Sequence, residues 1–351
     1  MRPISYLPWS VSVLDDCVAN EKAGRLACLD LDLTAKCSQA SCVYCDSKPT
    51  VGTALEGEMG LSDLRPILDV ALNLGLKWVF TCGLGEPLED PKFVGLVETL
   101  ARGGARVSAF TNGMLIDAKT AKWLHANHVC LVMKLDCLDE AVFDRILGGK
   151  GRAARVYLAL ENLLGAGYGR GCPEGITDLA LSIVPTKLNL HLIRDVLELA
   201  KRHNFFPSVG ELECAGRAAD SAVSAELQLD VADFHSLRSL TDEVLWTGYR
   251  RSVCPAVLTG IHIDVKGRCI VDRMTGLNCK WFMMQEPDVQ DVGLVSASNL
   301  VDIVEQVRRY RMRALREPSV IGLLRSTTFE FGGCGGDPSA IAAVAGELFE
   351  P

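Results

Sequence analysis

The sequence predicts an α/β fold: a partial (β/α)6 TIM-like barrel over residues 25–215, then a smaller α+β domain over 216–351. Two observations carry this. From residue 25, six short apolar runs alternate with amphipathic segments of helical period, the signature of parallel strands covered by helices. After residue 215 that rhythm stops and a hairpin pattern replaces it. Residues 1–24 stand outside both as an N-terminal extension.

The strands read in order as "RLACLDLDL" (25–33), "KWVFTCG" (77–83), "ARVSAFTNG" (105–113), "HVCLVMKLD" (128–136), "TDLALSIVP" (177–185) and "FPSVGELE" (206–213). Each is short, rich in Val, Leu or Phe, and bounded by turn residues. Between the first two lies "LSDLRPILDVALNLG", helical in period, with Ser62 as the expected N-cap and Gly75 as the stop. "HLIRDVLELAKRHN" (191–204) has the same spacing and ends in basic residues, which suit a helix C-terminus. Six strands are too few to close an eight-stranded barrel, so the sheet is expected to stay open on one side. Ligands in such folds sit at the strand C-termini. There the chain places three cysteines after strand one, "GLGEP" after strand two and "TNG" after strand three.

Beyond residue 215, "SAVSAELQLDVADFHSLRSLTDEVLW" reads as helical. "GIHIDVKGRCIVD" (260–272) reads as a hairpin turning at Lys266-Gly267, followed by a helix near 299–314 and a Gly-rich "FGGCGGD".

Composition narrows the function. A net charge of −8 argues against a nucleic-acid-binding face, which needs clustered cations, and tolerates a cationic substrate. The N-terminus has no apolar run ending in small residues, and no window approaches the roughly 18 apolar residues of a membrane span. A cytoplasmic protein with no membrane partner is therefore expected. In such a chain, clustered cysteines mean metal or catalysis more often than disulfides.

The densest cluster is "LDLTAKCSQASCVYCDSK" (31–48), with Cys37, Cys42 and Cys45 in nine positions. Three thiolates are one short of a tetrahedral zinc site, and no His or Cys stands between Asp46 and Phe80. Cys28 lies inside the first strand, spaced unlike a fourth ligand. Two readings stay open: zinc with a distant fourth ligand, structural and without radical chemistry, or a [4Fe–4S] cluster with one iron left free.

The cysteine triplet, Tyr44 before its last member, Gly-Glu-Pro after strand two and Thr-Asn-Gly after strand three together resemble the radical S-adenosylmethionine (radical SAM) superfamily. The resemblance covers residues 25–215 and implies a [4Fe–4S] cluster on Cys37, Cys42 and Cys45. It implies that the amine and carboxylate of S-adenosylmethionine chelate the free iron. Reduction by an external donor of flavodoxin or ferredoxin type then gives a 5′-deoxyadenosyl radical that abstracts hydrogen from a C–H bond. By the same resemblance, Glu86, followed by Pro87, stands near the methionine ammonium. Gly83 and Gly85 let the backbone approach the ligand, Tyr44 approaches the adenine, and Asn112 lines the site. Each has a plainer reading too: glycines after a strand as turns, Asn112-Gly113 as a turn pair, Tyr44 as core.

Two departures stand out. The superfamily's usual triplet has three residues between its first two cysteines; here there are four, so the loop is expected to bulge. In the strand-four segment, Lys134 replaces the serine that relatives often carry before "LD". Lys134 can bond the ribose or the methionine carboxylate, reach the substrate, or pair with an acid between strands. Ser182 on strand five is a further ribose candidate.

Cys254, Cys269, Cys279 and Cys334 form a second set. Their hairpin and Gly-rich context resembles the C-terminal extensions called SPASM or twitch domains, which hold auxiliary iron–sulfur clusters. A two-cluster domain offers more cysteines than these four, so one auxiliary [4Fe–4S] cluster is implied. Cys279 is a candidate hydrogen-atom donor for epimerisation, otherwise a cluster ligand; oxidation would instead use the auxiliary cluster as electron acceptor. Scattered buried thiols are the plainer reading of this set. That reading is preferred for Cys17, Cys28, Cys82, Cys130, Cys137, Cys172 and Cys214, with Cys82, Cys137 and Cys214 near strand ends as reserve donors or ligands. Peptide-modifying relatives usually carry an N-terminal recognition domain, for which a thiol loop starting at residue 37 leaves no room. The expected substrate is therefore a small molecule: a sugar, aminocyclitol or similar natural-product intermediate. The alternative is a peptide or protein side chain presented by a separate recognition partner.

Overall fold

The computed structural model describes residues 5, 7–8, 19–46, 52–245, 260–273, 289–314 and 316–317. Six parallel strands follow one another across the sheet: β1 (Cys28–Leu31), β2 (Trp78–Thr81), β3 (Arg106–Thr111), β4 (Cys130–Lys134), β5 (Leu179–Ile183) and β6 (Phe206–Val209). Each lies inside the run expected for it and is shorter, because residues at the ends of the runs turn towards the loops. Strand interiors are almost wholly buried on both faces, as in a parallel sheet covered by helices.

The covering helices are α1 (Leu61–Asn73), α2 (Lys92–Arg102), α3 (Ala118–Ala126), α4 (Glu140–Leu147), α5 (Arg152–Ala166) and α6 (Ile193–His203). The start of α1 corrects one expectation. Its N-cap is Gly60, not Ser62, and Asp63 Oδ2 accepts from the Gly60 N–H at 3.3 Å. A carboxylate three residues along does the capping, where a serine inside the first turn has no orphan donor to meet. Gly75 lies just past the C-cap Leu74, with φ +101°. Helix α6 ends in Lys201, Arg202 and His203, as its sequence indicated.

The segment from residue 221 is two helices, α7 (Ser221–Leu227) and α8 (Val231–Leu245), not one. Asp220 caps the first, accepting from Ala222 and Val223 N–H at 2.9 and 3.3 Å. Asp230 and Asp233 then exchange backbone-to-carboxylate bonds of 2.8 and 3.2 Å, a second capping box that restarts the helix.

The C-terminal strands extend the barrel sheet. β7 (Gly260–Ile263) pairs parallel with the free edge of β1, and β8 (Arg268–Asp272) and β9 (Val289–Leu294) follow antiparallel. Among the described residues the sheet has nine strands, in the order β6-β5-β4-β3-β2-β1-β7-β8-β9. Helix α9 (Leu300–Ala314) backs this edge, and its Arg311, fully buried, pairs with Glu21 at 3.6 Å and donates to Gly260 O. Strand β1 is thus central, and its C-terminal end opens on the middle of the sheet. Among the described residues, no helix is long and apolar enough to cross a membrane.

Candidate active site

Beyond β1 the chain passes Asp32 and Thr34 and enters the thiol loop. Glu58 anchors its entrance, accepting from Thr34 Oγ1 at 3.0 Å and from Ala35 N–H at 2.8 Å. The bulge expected from the extra residue is a turn over residues 38–41, closed by Ala40 N–H on Cys37 O at 3.1 Å. Ser38 is tied outward, its N–H and Oγ both donating to Glu89 at 2.7 Å. Ser41 Oγ donates to Leu147 O at 3.0 Å. Val43 N–H donates to Ile146 O at 2.9 Å, and Cys45 N–H to Cys42 O at 3.2 Å.

The "GLGEP" turn packs directly on this loop. A Cβ at Gly85 would lie 2.3 Å from Lys36 O and 2.7 Å from Thr34 O, and one at Gly83 would lie 2.8 Å from Asp32 Oδ1. Both glycines admit the segment that leads from β1 into the thiol loop, because two backbone segments meet where any side chain would stand, and both also line the cleft described below. Glu86 N–H donates to Lys36 O at 2.7 Å and completes the contact.

The Glu86 carboxylate is 3% exposed. It accepts from Thr111 Oγ1 and Asn112 N–H, both at 2.7 Å, and from Leu88 N–H at 3.2 Å. Burial pushes its pKa up to about 7, against the pull of these three donors. Pro87 opens the short 3-10 turn Pro87–Glu89 behind it. Asn112 Nδ2 reaches to 3.9 Å from Cys37 Sγ, while Asn112 Oδ1 accepts from Met114 N–H at 2.9 Å.

On the opposite wall, Tyr44 is buried and donates its hydroxyl to Asp136 Oδ2 at 2.6 Å. Lys134 Nζ lies 2.9 Å from the same Asp136 oxygen and 4.0 Å from the centroid of the Tyr44 ring. Burial disfavours the Lys134 charge, but Asp136 and the Cys42 thiol outweigh it and hold its pKa above the usual value. Lys134 therefore pairs with an acid and borders the site at once. Asp136 is itself held by Val184 N–H at 2.9 Å.

These walls enclose a cleft of about 300 Å³. Cys37, Cys42, Tyr44, Cys45, Gly83, Gly85, Glu86, Asn112, Lys134 and Ser182 all line it; Pro87 does not. So do Cys82, held in reserve as a donor or ligand, and Gln39, Glu211 and Glu213, which the motifs did not single out as site residues. Asp136 was legible in the "LD" after Lys134, whereas Gln39 and Arg217, a brace of the loop described below, carry no local signal.

Cys254, Cys279 and Cys334 lie outside the described residues, as does Cys17. Cys269 is buried in β8 within the main core, and burial pushes its thiol up to about 12. Cys28, Cys130 and Cys137 are buried, Cys172 is half-buried and Cys214 is exposed. Cys82 lines the cleft and donates to Asp30 Oδ1 at 3.2 Å.

The donor set suits a cuboidal cluster. Burial drives the Cys37 thiol up to about 12 and raises that of Cys42, and each thiol feels its neighbour's charge. Such thiols ionise together only around a cation. Among the described residues, no three Cys, His, Asp or Glu side chains converge closely enough to hold a single metal ion. Gln39 Oε1, buried and without a hydrogen-bond partner among the described residues, is a further sign that the cleft is built around a ligand.

Comparison with known proteins agrees with this geometry. Residues 31–205 match the Radical SAM superfamily. The mycofactocin maturase MftC of Mycolicibacterium smegmatis (strain ATCC 700084 / mc(2)155) is 30% identical over 257 residues, 70% of this chain and 62% of that protein. Its namesake from Mycobacterium ulcerans (strain Agy99) is 31% identical over 194 residues, 55% of this chain and 49% of that protein. The chain thus spans about half to three-fifths of these relatives' length. Among solved structures, Streptococcus suis SuiB bound to precursor peptide SuiA superposes with a TM-score of 0.58 at 17% identity, covering 84% of this chain and 70% of that one. The enzyme anSMEcpe with bound AdoMet also gives 0.58, at 14% identity, covering 92% and 93%. At these identities the likeness is one of fold: a partial barrel of parallel strands.

Proposed function

We propose that this chain, which belongs to the radical SAM superfamily, modifies a peptide by abstracting a hydrogen atom from one of its C–H bonds. One observation carries the reaction class: ten residues chosen from four separate sequence motifs and from strand five line a single cleft at the strand C-termini. When bound, a [4Fe–4S] cluster and S-adenosylmethionine supply the power to break an unactivated C–H bond.

The chain's own residues bind, orient and exclude water. Cys37, Cys42 and Cys45 hold the cluster. Glu86, fixed by Thr111 and Asn112, presents a carboxylate where the cofactor's ammonium is to be met. Lys134, oriented by Asp136 and Tyr44, offers a cation to a carboxylate or hydroxyl. The wall of buried Tyr44 and Val132 and half-buried Phe110 keeps solvent from the reacting carbon. One auxiliary [4Fe–4S] cluster on the C-terminal cysteines, Cys269 among them, belongs to the same proposal.

The peptide replaces the small molecule expected from the position of the thiol loop. Both curated relatives are maturases, and a solved protein of this fold holds a precursor peptide. A separate recognition partner that presents the peptide belongs to the same proposal.

Anaerobic reconstitution tests the reading. It is expected to give about eight irons per chain from two cuboidal clusters, with 5′-deoxyadenosine formed on reduction. A chain holding zinc and no iron overturns it. Turnover stimulated by a peptide fraction and not by a small-metabolite fraction supports the substrate class; the reverse restores the small molecule. One solvent deuterium on the product carbon marks epimerisation, and its absence marks oxidation or crosslinking.

A further inference from the structure

The turn between Cys37 and Cys42 carries one residue more than the usual spacing, and two guanidinium groups from distant parts of the chain pin its outer side. Arg217 donates to Cys42 O at 3.0 Å and to Ala40 O, and its backbone N–H donates to Cys45 O at 2.9 Å. The preceding Gly216, at φ +56°, lies so close that a Cβ would stand 2.3 Å from Cys45 O. Arg152 donates to Ser41 Oγ and, at 2.7 Å, to Leu147 O. Of the turn residues, Gln39 and Ala40 line the cleft, and of the two Gln39 carries the polar side chain.

Gln39 is 3% exposed and lines the cleft. Its Nε2 donates to Cys42 Sγ at 3.6 Å. Its Oε1 is buried and has no hydrogen-bond partner among the described residues. The turn itself does not call for this side chain, since its bonds are made by backbone groups, Ser38 and Ser41. Nor does reversing the amide remove the problem. That would set the carbonyl oxygen against an electron-rich sulfur and leave two N–H groups unpaired instead. A buried amide oxygen kept free at this cost is matched to a donor that arrives with a ligand.

We propose that Gln39 is a positioning residue of the cofactor site: its N–H bonds the Cys42 sulfur, and its Oε1 accepts a hydrogen bond from bound S-adenosylmethionine. The proposal rests on the reading of Cys37, Cys42 and Cys45 as cluster ligands. S-adenosylmethionine brings ammonium, amine and hydroxyl donors, any of which Oε1 can accept. The N–H···S bond draws electron density from a cluster ligand, which raises the cluster's reduction potential. The longer spacing therefore adds a side chain that acts on the cluster and the cofactor together.

The test compares reconstituted wild type with Gln39→Leu and Gln39→Glu by iron content, potentiometric EPR titration and equilibrium dialysis of S-adenosylmethionine. Gln39→Leu is expected to keep its iron, shift the potential to a more negative value, and weaken cofactor binding roughly three- to tenfold. Gln39→Glu lacks the N–H but keeps an acceptor. Its potential is expected to fall while its cofactor affinity recovers towards wild type. A potential and an affinity equal to wild type in Gln39→Leu overturn the proposal and leave the cluster reading standing. If Gln39→Leu loses iron or fold, Gln39→Glu decides, and an unchanged potential there overturns the proposal. A wild-type chain that takes up no iron overturns both.

Discussion

Strand β1 serves two buried polar regions built on opposite principles. At its end, the thiol loop gathers Cys37, Cys42 and the free oxygen of Gln39, groups that repel one another or lack a partner. Along its outer edge, Asp30 and the neighbouring Asp32 close on His262 of β7 at 3.0 and 3.4 Å. Burial alone would discharge His262, but Asp32 and Asp30 outweigh it and lift its pKa to about 10. The seam pairs both carboxylates with one imidazolium and joins the C-terminal hairpin to the barrel. Buried charge in the seam is architecture; the loop gathers thiols and an amide suited to holding a ligand. Cys82 touches both, lining the cleft while donating to Asp30.

The sharpest way to break this contrast is to remove one member from each region. Cys42→Ala is expected to abolish 5′-deoxyadenosine formation and the cluster's EPR signal, while thermal stability of the iron-free chain changes little. His262→Leu should do the reverse in kind. Two aspartates left without their cation cost on the order of 3–5 kcal/mol, read as a lower melting temperature. The folded remainder should still bind iron through its intact cysteines.

The seam also sets a pH dependence. Folded His262 holds a proton that the unfolded chain releases above its ordinary value of 6.5. Its contribution is therefore complete below pH 6.5 and lost as pH rises through about 10. Melting temperatures measured across this window should fall for wild type and fall less for His262→Leu. Equal slopes would show that the seam is not held by the imidazolium.

Smaller changes sharpen the boundary of the loop. Gly85→Ala forces a methyl group against Lys36 O and should cost about 1–3 kcal/mol, with slower iron uptake. Ser38→Ala removes only the exposed Oγ bond to Glu89 and should cost less than about 1 kcal/mol in a urea titration, with iron content unchanged. If Ser38→Ala costs more than Gly85→Ala, the loop is held by its outer tether and not by its contact with the glycine turn.

Much of the site was legible because the barrel brings every strand's C-terminal end to one place. Once six parallel strands are read, Cys37, Glu86, Asn112, Lys134 and Ser182 must converge, whatever their separation along the chain. What stayed hidden were contacts that cross between loops. The two glycines were read as facing a ligand; they line the cleft and also pack on the chain's own segment, Gly83 on Asp32 and Gly85 on Thr34–Lys36, because the partner of a tight turn is not written beside it. Ser62 was read as a cap because a local rule favours it; Asp63 reaching Gly60 won because it meets a real orphan donor.

The sequence by itself determined the strand and helix rhythm, the position of the thiol loop after the first strand, and the family of chemistry. Those properties depend on neighbours a few residues apart, and periodicity records them. Only the tertiary structure decided that β7 seals the free edge of β1 through His262, and that Arg217, 175 residues from Cys42, braces the loop. The inward turn of Gln39 was settled there too. These are long-range pairings of single polar groups, and their energy lies in geometry that leaves no periodic trace along the chain.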